Sequence, residues 1–214
     1  MNKLTKIYVV RHGQSRFNAG MDFEDLNASL TDAGKEQAKN IAEKFKEIDF
    51  AAIFASSLAR SKETAEIIKN GRDLEVEANG KTDERSIYKY ARAIKREDAD
   101  IEEEIMNNLR KLSDSEKMNY KLTSQMESAS EAAIRFINFI KGVVKRYPSK
   151  TLLIVSHGNM MRSLLTQLGF AKYDELPTGT VKNTGYFVLE TDGEDFSVVE
   201  THDIEKQKDA IRVW

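Results

Sequence analysis

The 214-residue chain contains no cysteine. This absence excludes disulfide bonds, thiolate metal sites and any phosphatase or protease that attacks through a cysteine. The chain also lacks an apolar segment near the roughly 20 residues that span a bilayer, and residues 1–6 lack the apolar core of a secretory signal. We therefore expect a cytoplasmic protein.

The chain has no strong net charge, since 33 Lys and Arg residues oppose 35 Asp and Glu residues. Such a balance provides no field that would hold nucleic acid or an anionic membrane, so neither partner is expected and any anion site must be local. At this length we expect a single domain over residues 1–214. The sequence does not predict the oligomeric state.

Short apolar runs alternate with segments of helical periodicity along the chain. The predicted strands are 7–10, 51–55, 74–78, 151–155, 186–189 and 196–199. The predicted helices begin near Thr31, Leu58, Ser128 and Asn159. This order predicts an α/β fold, a three-layer sandwich in which helices flank a mostly parallel central sheet.

The segment over about 83–125 differs from the rest because it is highly charged and thinly apolar. Its few apolar residues still recur at helical spacing: Ile101, Ile105, Leu109 and Leu112. We expect a helical insertion that lies over the sheet at its active-site end.

Two of the three histidines, His12 and His157, directly follow predicted buried strands, and each precedes a glycine. Ligands of open α/β sheets bind beyond the carboxyl ends of the strands, so the two rings are expected to face each other. A glycine there fits a backbone that approaches a ligand closely or takes a positive φ. Core histidines at strand ends are the alternative, and His202 is assigned no function.

Two arginines lie beside these strand ends. Arg11 precedes His12, and Arg60 begins the helix that follows the second strand. Paired guanidinium groups offer forked donors that suit the oxygens of a phosphate. Surface salt bridges are the alternative, which fits Arg60 better than Arg11 because a charge next to a buried strand needs a partner.

Four blocks of the sequence resemble the histidine phosphatase superfamily, also called the phosphoglycerate mutase-like family. In chain order they are Arg11-His12-Gly13-Gln14-Ser15-Arg16-Phe17-Asn18, Leu30-Thr31-Asp32-Ala33-Gly34 with Gln37 and Ala38, Ser57-Leu58-Ala59-Arg60 with Thr64-Ala65, and Ser156-His157-Gly158. The resemblance covers the first third and the carboxyl half of the chain, and the charged insertion matches poorly.

The resemblance implies roles for four side chains. His12 would be the nucleophile, attacking phosphorus through an unprotonated ring nitrogen and forming a phosphohistidine. Arg11 and Arg60 would disfavour a further positive charge on that ring and, with His157 as a donor, would bind the equatorial phosphoryl oxygens. Cationic side chains would thus replace a metal, so neither a metal nor another cofactor is implied.

In members of this family, a carboxylic acid located after the second helix protonates the leaving group. Glu84 is the candidate here, with Glu75 and Glu77 as fallbacks. The family usually has a leucine two residues before this glutamate, whereas this chain has Thr82. Partial burial would raise the pKa of Glu84 so that it is protonated when needed.

Further positions are candidate substrate contacts: Gly13, Ser15, Asn18 and Gly158. For Ser15 and Asn18, stabilising the loop is an equal alternative to binding phosphate. Three aromatic residues are candidates for shaping the pocket, with ordinary packing as the alternative: Phe17, Phe23 and Tyr88.

The favoured function is hydrolysis of a small phosphorylated metabolite. A phosphoglycerate mutase is the alternative, but mutases of this family typically carry a glycine-containing block after the Glu-Arg pair, whereas residues 84–90 read Glu-Arg-Ser-Ile-Tyr-Lys-Tyr. A non-catalytic phosphate-binding protein is a third reading. Walker-type glycine loops, Gly-x-Ser-x-Gly elbows and His-Glu-x-x-His metal motifs are absent from the sequence.

Overall fold

The computed structural model describes residues 4–21, 25–86 and 99–207. Its strands are β1 Thr5–Arg11, β2 Ala52–Ala55, β3 Val76–Ala78, β4 Thr151–Ser156, β5 Val181–Thr191 and β6 Phe196–Ile204. Its helices are α1 Asp32–Lys44, α2 Ala59–Lys69, α3 Ala99–Arg110, α4 Asp114–Asn119, α5 Ala129–Arg146 and α6 Gly158–Gln167. Short 3₁₀ turns cover Gly80–Thr82 and Tyr173–Glu175.

The strands of the described ranges form one sheet in the order β3-β2-β4-β1-β5-β6. The pairings from β3 to β1 are parallel, and β5 and β6 join at one edge as antiparallel strands. Because β2, β4 and β1 are adjacent and parallel, their carboxyl ends meet at one edge of the sheet. The mostly parallel sheet predicted from the sequence is confirmed.

Helices cover both faces of the sheet. Within β1, Ile7 and Val9 belong to an apolar cluster that includes residues of α5 and α6. The next residue, Val10, points to the other face and joins a second cluster with residues of α1 and α2. This period of two is the pattern of a strand buried on both sides, and it confirms the three-layer sandwich.

Local capping sets where two of the helices begin. The Thr31 hydroxyl accepts a hydrogen bond from the Gly34 amide at 3.0 Å, which fixes the first turn of α1. Ser128 and Glu131 form a reciprocal capping box at the start of α5. Both helices begin where the sequence pattern predicts.

The antiparallel strands are longer than predicted. The apolar pattern marked only 186–189 and 196–199, whereas β5 covers Val181–Thr191 and β6 covers Phe196–Ile204. Most residues of the added ends are polar, and two of them, Thr184 and Asp203, have positive φ. Backbone pairing between the strands extends these ends, which side-chain hydrophobicity does not reveal.

The insertion contributes α3 and α4, and residues 87–98 of it lie outside the described residues. Leu109 and Met118 pack with Ala129 and Tyr173 in a small apolar cluster, which anchors both helices beside the start of α5. In the described parts of the chain, no helix has the length and apolarity needed to cross a bilayer.

Candidate active site

The two histidines that follow β1 and β4 come together at the carboxyl edge of the sheet. The ring centroids of His12 and His157 are 4.9 Å apart and the ring planes meet at 62°. Both side chains are buried, with 2% and 0% of their surface exposed. The His12 amide donates to the Ser156 carbonyl at 3.0 Å, which extends the β1–β4 ladder into the site.

Hydrogen bonds define the protonation state of His12. Its Nδ1 atom lies 2.6 Å from the Gly13 carbonyl oxygen, which can only accept, so Nδ1 carries the ring proton. Its Nε2 atom accepts from the Nε of Arg60 at 3.0 Å. Burial, followed by the charges of Arg60 and Arg11, holds the pKa of His12 well below its ordinary value. The ring is therefore neutral, with the lone pair of Nε2 on the side of Arg60.

Both predicted arginines are held by backbone carbonyls. Arg60 is 5% exposed and donates to the Leu26 carbonyl at 2.6 Å. Arg11 donates to the Val181 carbonyl at 2.6 Å. Since neutral carbonyls leave the positive charges in place, the contacts orient the guanidinium groups while keeping the site cationic.

Glu84 lies at the amino end of α6, where its carboxylate accepts from the Met160 amide at 2.9 Å and the Asn159 amide at 3.4 Å. Burial raises the pKa of Glu84, and the backbone amides of Arg85 and Met160 and the charges of the two site arginines oppose the rise only in part. The fallback residue Glu77 lies on β3 and pairs with Arg146 at 2.8 Å, which lowers its pKa.

The loop residues Ser15 and Asn18 bond to each other. The Asn18 amide donates to the Ser15 hydroxyl at 3.2 Å, and the Ser15 amide donates to the Asn18 side-chain oxygen at 3.4 Å. These contacts are those of the loop-stabilising alternative. Their binding of phosphate stays a prediction.

The glycines after the histidines serve a purpose that the sequence argument missed. Neither Gly13 nor Gly158 has a positive φ. A Cβ at Gly13 would lie 2.4 Å from the Gly34 carbonyl oxygen, and the Gly13 amide donates to the Thr64 hydroxyl at 3.1 Å. Gly13 is thus required where the loop packs against the backbone at the start of α1.

Two further residues contact the site, and sequence reasoning did not select them. The Ser56 hydroxyl lies 2.6 Å from the Nε2 atom of His157. Arg135, on α5, donates to the carbonyls of Lys81 and Asp83 beside Glu84 and is also paired with Glu127. Ser56 directly follows β2 as the histidines directly follow β1 and β4, so its position was a usable signal. An arginine on an amphipathic helix gives no such signal.

A cavity of about 690 Å³ opens beside Arg60 and Glu84. Its lining residues are Phe17, Leu26, Leu58, Arg60, Asp83, Glu84, Arg85, Ser86, Lys121, Ser124, Gln125, Met126, Glu127, Glu131 and Arg135. Phe17 is therefore a pocket residue, while Phe23 and Tyr88 lie outside the described residues. The end of the insertion, over residues 121–126, forms one wall of this cavity.

The arrangement combines a neutral imidazole with a bare nitrogen, a second neutral imidazole, two guanidinium groups and a carboxyl of raised pKa. Such groups can bind a tetrahedral anion, attack it and supply a proton. Among the described residues, no group of three or more His, Cys, Asp or Glu side chains has the spacing of a metal site.

The chain is similar to known proteins in sequence and in fold. A model of the histidine phosphatase superfamily (branch 1) matches residues 7–204. Phosphoglycerate mutase-like protein 4 of Arabidopsis thaliana is 29% identical over 163 residues, covering 74% of this chain and 69% of the relative. A metal-independent phosphoserine phosphatase of the same plant is 26% identical over 170 residues, covering 78% and 70%. Bacillus stearothermophilus YhfR shares the fold with a TM-score of 0.75 at 23% identity, covering 94% of this chain and all of that one.

Proposed function

The chain belongs to the histidine phosphatase superfamily (branch 1), and we propose that it is a metal-independent phosphatase that hydrolyses a small phosphomonoester through a phosphohistidine on His12. The main support is the His12 ring, which is neutral and presents a bare Nε2 atom 3.0 Å from the Nε of Arg60. A nucleophile beside a fixed cation is what attack on a phosphate dianion requires.

In the first step, Nε2 of His12 attacks phosphorus and the bond from phosphorus to the substrate oxygen breaks. Arg11, Arg60 and His157 bind the equatorial oxygens, where charge is carried during transfer. Protonated Glu84 gives its proton to the departing alkoxide, which leaves as an alcohol. Burial raises the pKa of Glu84, which favours its protonated form relative to an exposed carboxyl group.

In the second step, water attacks the phosphorus of the phosphohistidine. The carboxylate of Glu84 takes the proton that the water loses, the bond from Nε2 to phosphorus breaks, and inorganic phosphate leaves. Glu84 is again protonated and His12 is again neutral, so the cycle closes without a further reactant.

Hydrolysis is favoured over mutase chemistry by the charges around the cavity. Two of its cations, Lys121 and Arg135, are paired with Glu131 and Glu127 at 2.6 and 2.8 Å. Such pairs reduce the positive charge that the cavity wall offers to a second anionic group, as in a bisphosphorylated intermediate. The mutase remains the second candidate because several relatives are named as probable phosphoglycerate mutases or mutase-like proteins.

Purified protein should be assayed with a panel of phosphomonoesters that includes phosphoserine, which a relative's name suggests, and 3-phosphoglycerate with its bisphosphate. We expect release of free phosphate, undiminished by EDTA and abolished in His12→Ala. Isomerised phosphoglycerate without net hydrolysis would support the mutase instead. Turnover that EDTA removes and a divalent metal restores would contradict the proposal.

A further inference from the structure

Ser56 occupies a fully buried position between β2 and the site. Its side-chain oxygen accepts a hydrogen bond from the Leu58 amide at 3.2 Å. The same oxygen lies 2.6 Å from Nε2 of His157. The hydroxyl therefore has two neighbours, of which the amide can only donate.

The number of hydrogens available decides which group donates in the bond between Ser56 and Nε2 of His157. The Ser56 hydroxyl carries one hydrogen, and within the described ranges Nε2 of His157 is the acceptor that its contacts provide. If Nε2 carried the ring proton, two donors would point at Oγ and the hydroxyl hydrogen would be left without an acceptor in a dry environment. Buried polar hydrogens are rarely left without an acceptor, because the group has lost its hydrogen bond to water and gains nothing in exchange.

The other ring nitrogen of His157 is in the opposite situation. Its Nδ1 atom is buried and has no hydrogen-bond partner among the described residues. The ring is neutral, because burial, followed by the charges of His12 and the nearby arginines, holds its pKa well below the ordinary value. A neutral ring has one N–H, so its tautomer determines which nitrogen can donate.

We propose that Ser56 is a positioning residue that fixes the Nδ1-protonated tautomer of His157 and thereby presents the unpartnered N–H to an anion held beside His12. The anion would be the phosphoryl group of the substrate, so this part rests on the proposed function. The tautomer itself does not depend on turnover.

Nitrogen-15 NMR of the full chain, labelled at histidine, tests the tautomer directly. The chain has three histidines, and a His202→Gln variant assigns the one outside the site. We expect His157 to show a protonated Nδ1 and an unprotonated Nε2. In Ser56→Ala we expect both resonances to move toward intermediate positions, as two tautomers exchange. A protonated Nε2 in the wild-type protein, or unchanged resonances in Ser56→Ala, would overturn the proposal.

Kinetics and anion binding test the consequence. Ser56→Ala should lower kcat about ten- to a hundredfold, the loss that is usual when the partner that orients a metal-binding histidine is removed. It should also weaken inhibition by inorganic phosphate, and Ser56→Thr, which keeps the hydroxyl, should recover part of both. Ser163→Ala is the matched control, since this buried hydroxyl donates to the Asn159 carbonyl within α6 and contacts neither histidine.

The outcomes separate the two proposals. If no phosphomonoester is hydrolysed but the expected tautomer is found and inorganic phosphate shifts the Nδ1 proton of His157, the positioning role stands and the catalytic function fails. If turnover falls equally in Ser56→Ala and Ser163→Ala, Ser56 acts through stability alone. Thermal unfolding of each variant shows whether it is folded, and a misfolded Ser56→Ala leaves the wild-type spectrum as the deciding measurement.

Discussion

At the end of β1 it is Nδ1 of His12 that is bound, 2.6 Å from the Gly13 carbonyl, whereas at the end of β4 it is Nε2 of His157, 2.6 Å from Ser56. The two strand ends carry the same His-Gly pair, yet the neighbouring carbonyl or hydroxyl holds a different ring nitrogen at each end. His12 offers a bare nitrogen beside Arg60, and under our proposal His157 offers an N–H. Under the proposed function, the neighbouring carbonyl or hydroxyl, and not the His-Gly pair itself, separates an attacking ring from a binding ring.

The largest effects are expected when each of the two imidazole rings is removed in turn. His12→Ala should lower kcat by about five to six orders of magnitude, because the nucleophile itself is lost. His157→Ala should lower it by about two to three orders, the usual cost of one preorganised donor. Steady-state turnover measures both losses, and a quench in alkali, in which a phosphohistidine is stable, detects the phosphoenzyme. Equal losses, or phosphoenzyme formed without His12, would contradict the division of roles.

The next largest effect is expected at Glu84, whose proposed role is to protonate the leaving group. Because burial raises the pKa of Glu84 and the acid must be protonated to donate, kcat should fall as pH rises through that pKa. On the acid side, activity should fall only as pH drops through the pKa of His12, well below 6.5. Glu84→Gln should lower kcat by about two to four orders of magnitude and remove the alkaline fall.

An aryl phosphate provides the control for this prediction. Its phenolate leaves without a proton, so hydrolysis by Glu84→Gln should be largely restored with such a substrate, whereas His12→Ala should stay inactive with it. A wild-type alkaline limb that persists in Glu84→Gln would assign the proton donor to another group.

Substitution of Arg60 tests the difference between the two histidines, because Arg60 contacts His12. Arg60→Ala should lower kcat by about two to three orders of magnitude, since it removes one charge-stabilising donor. It should also raise the pKa of His12, because the Arg60 charge lowers it, and so move the acid limb of the pH profile upward. Arg72→Ala is a control, as this arginine donates to backbone carbonyls away from the site. Unchanged turnover in Arg60→Ala would refute its role.

The same comparison shows what the sequence could predict. Strand ends are visible as breaks in apolar runs, so His12, His157, Arg11 and Arg60 could be placed together before any coordinates. Ser56 lies at an equivalent strand end but went unselected, because serine is common in loops and its partner is 101 positions away. Glu84 was found through family resemblance alone, since its contacts are amides at the start of α6. Contacts between distant segments produce no periodic pattern in the sequence, so the sequence alone does not predict them.

The smallest effects are expected at Gly13 and Gly158, which share the His-Gly motif but have different neighbours. An added Cβ at Gly13 meets the Gly34 carbonyl oxygen at 2.4 Å, and backbone cannot move aside, whereas at Gly158 it meets the Nε of Arg11 at 3.3 Å. Gly13→Ala should therefore lower the free energy of unfolding by about 1–3 kcal/mol. Gly158→Ala should change it by less than about 1 kcal/mol, since alanine suits a helix start.

The kcat of the folded variants should show the opposite order from their stability. Gly158→Ala displaces the guanidinium of Arg11 and should lower kcat several-fold while chemical denaturation stays near the wild-type curve. Similar losses of stability in both variants would mean that the backbone is equally crowded at the two strand ends. A stable Gly158→Ala with reduced kcat would instead show that the glycine after His157 is there to leave room for an arginine, and the glycine after His12 to let two backbone segments touch.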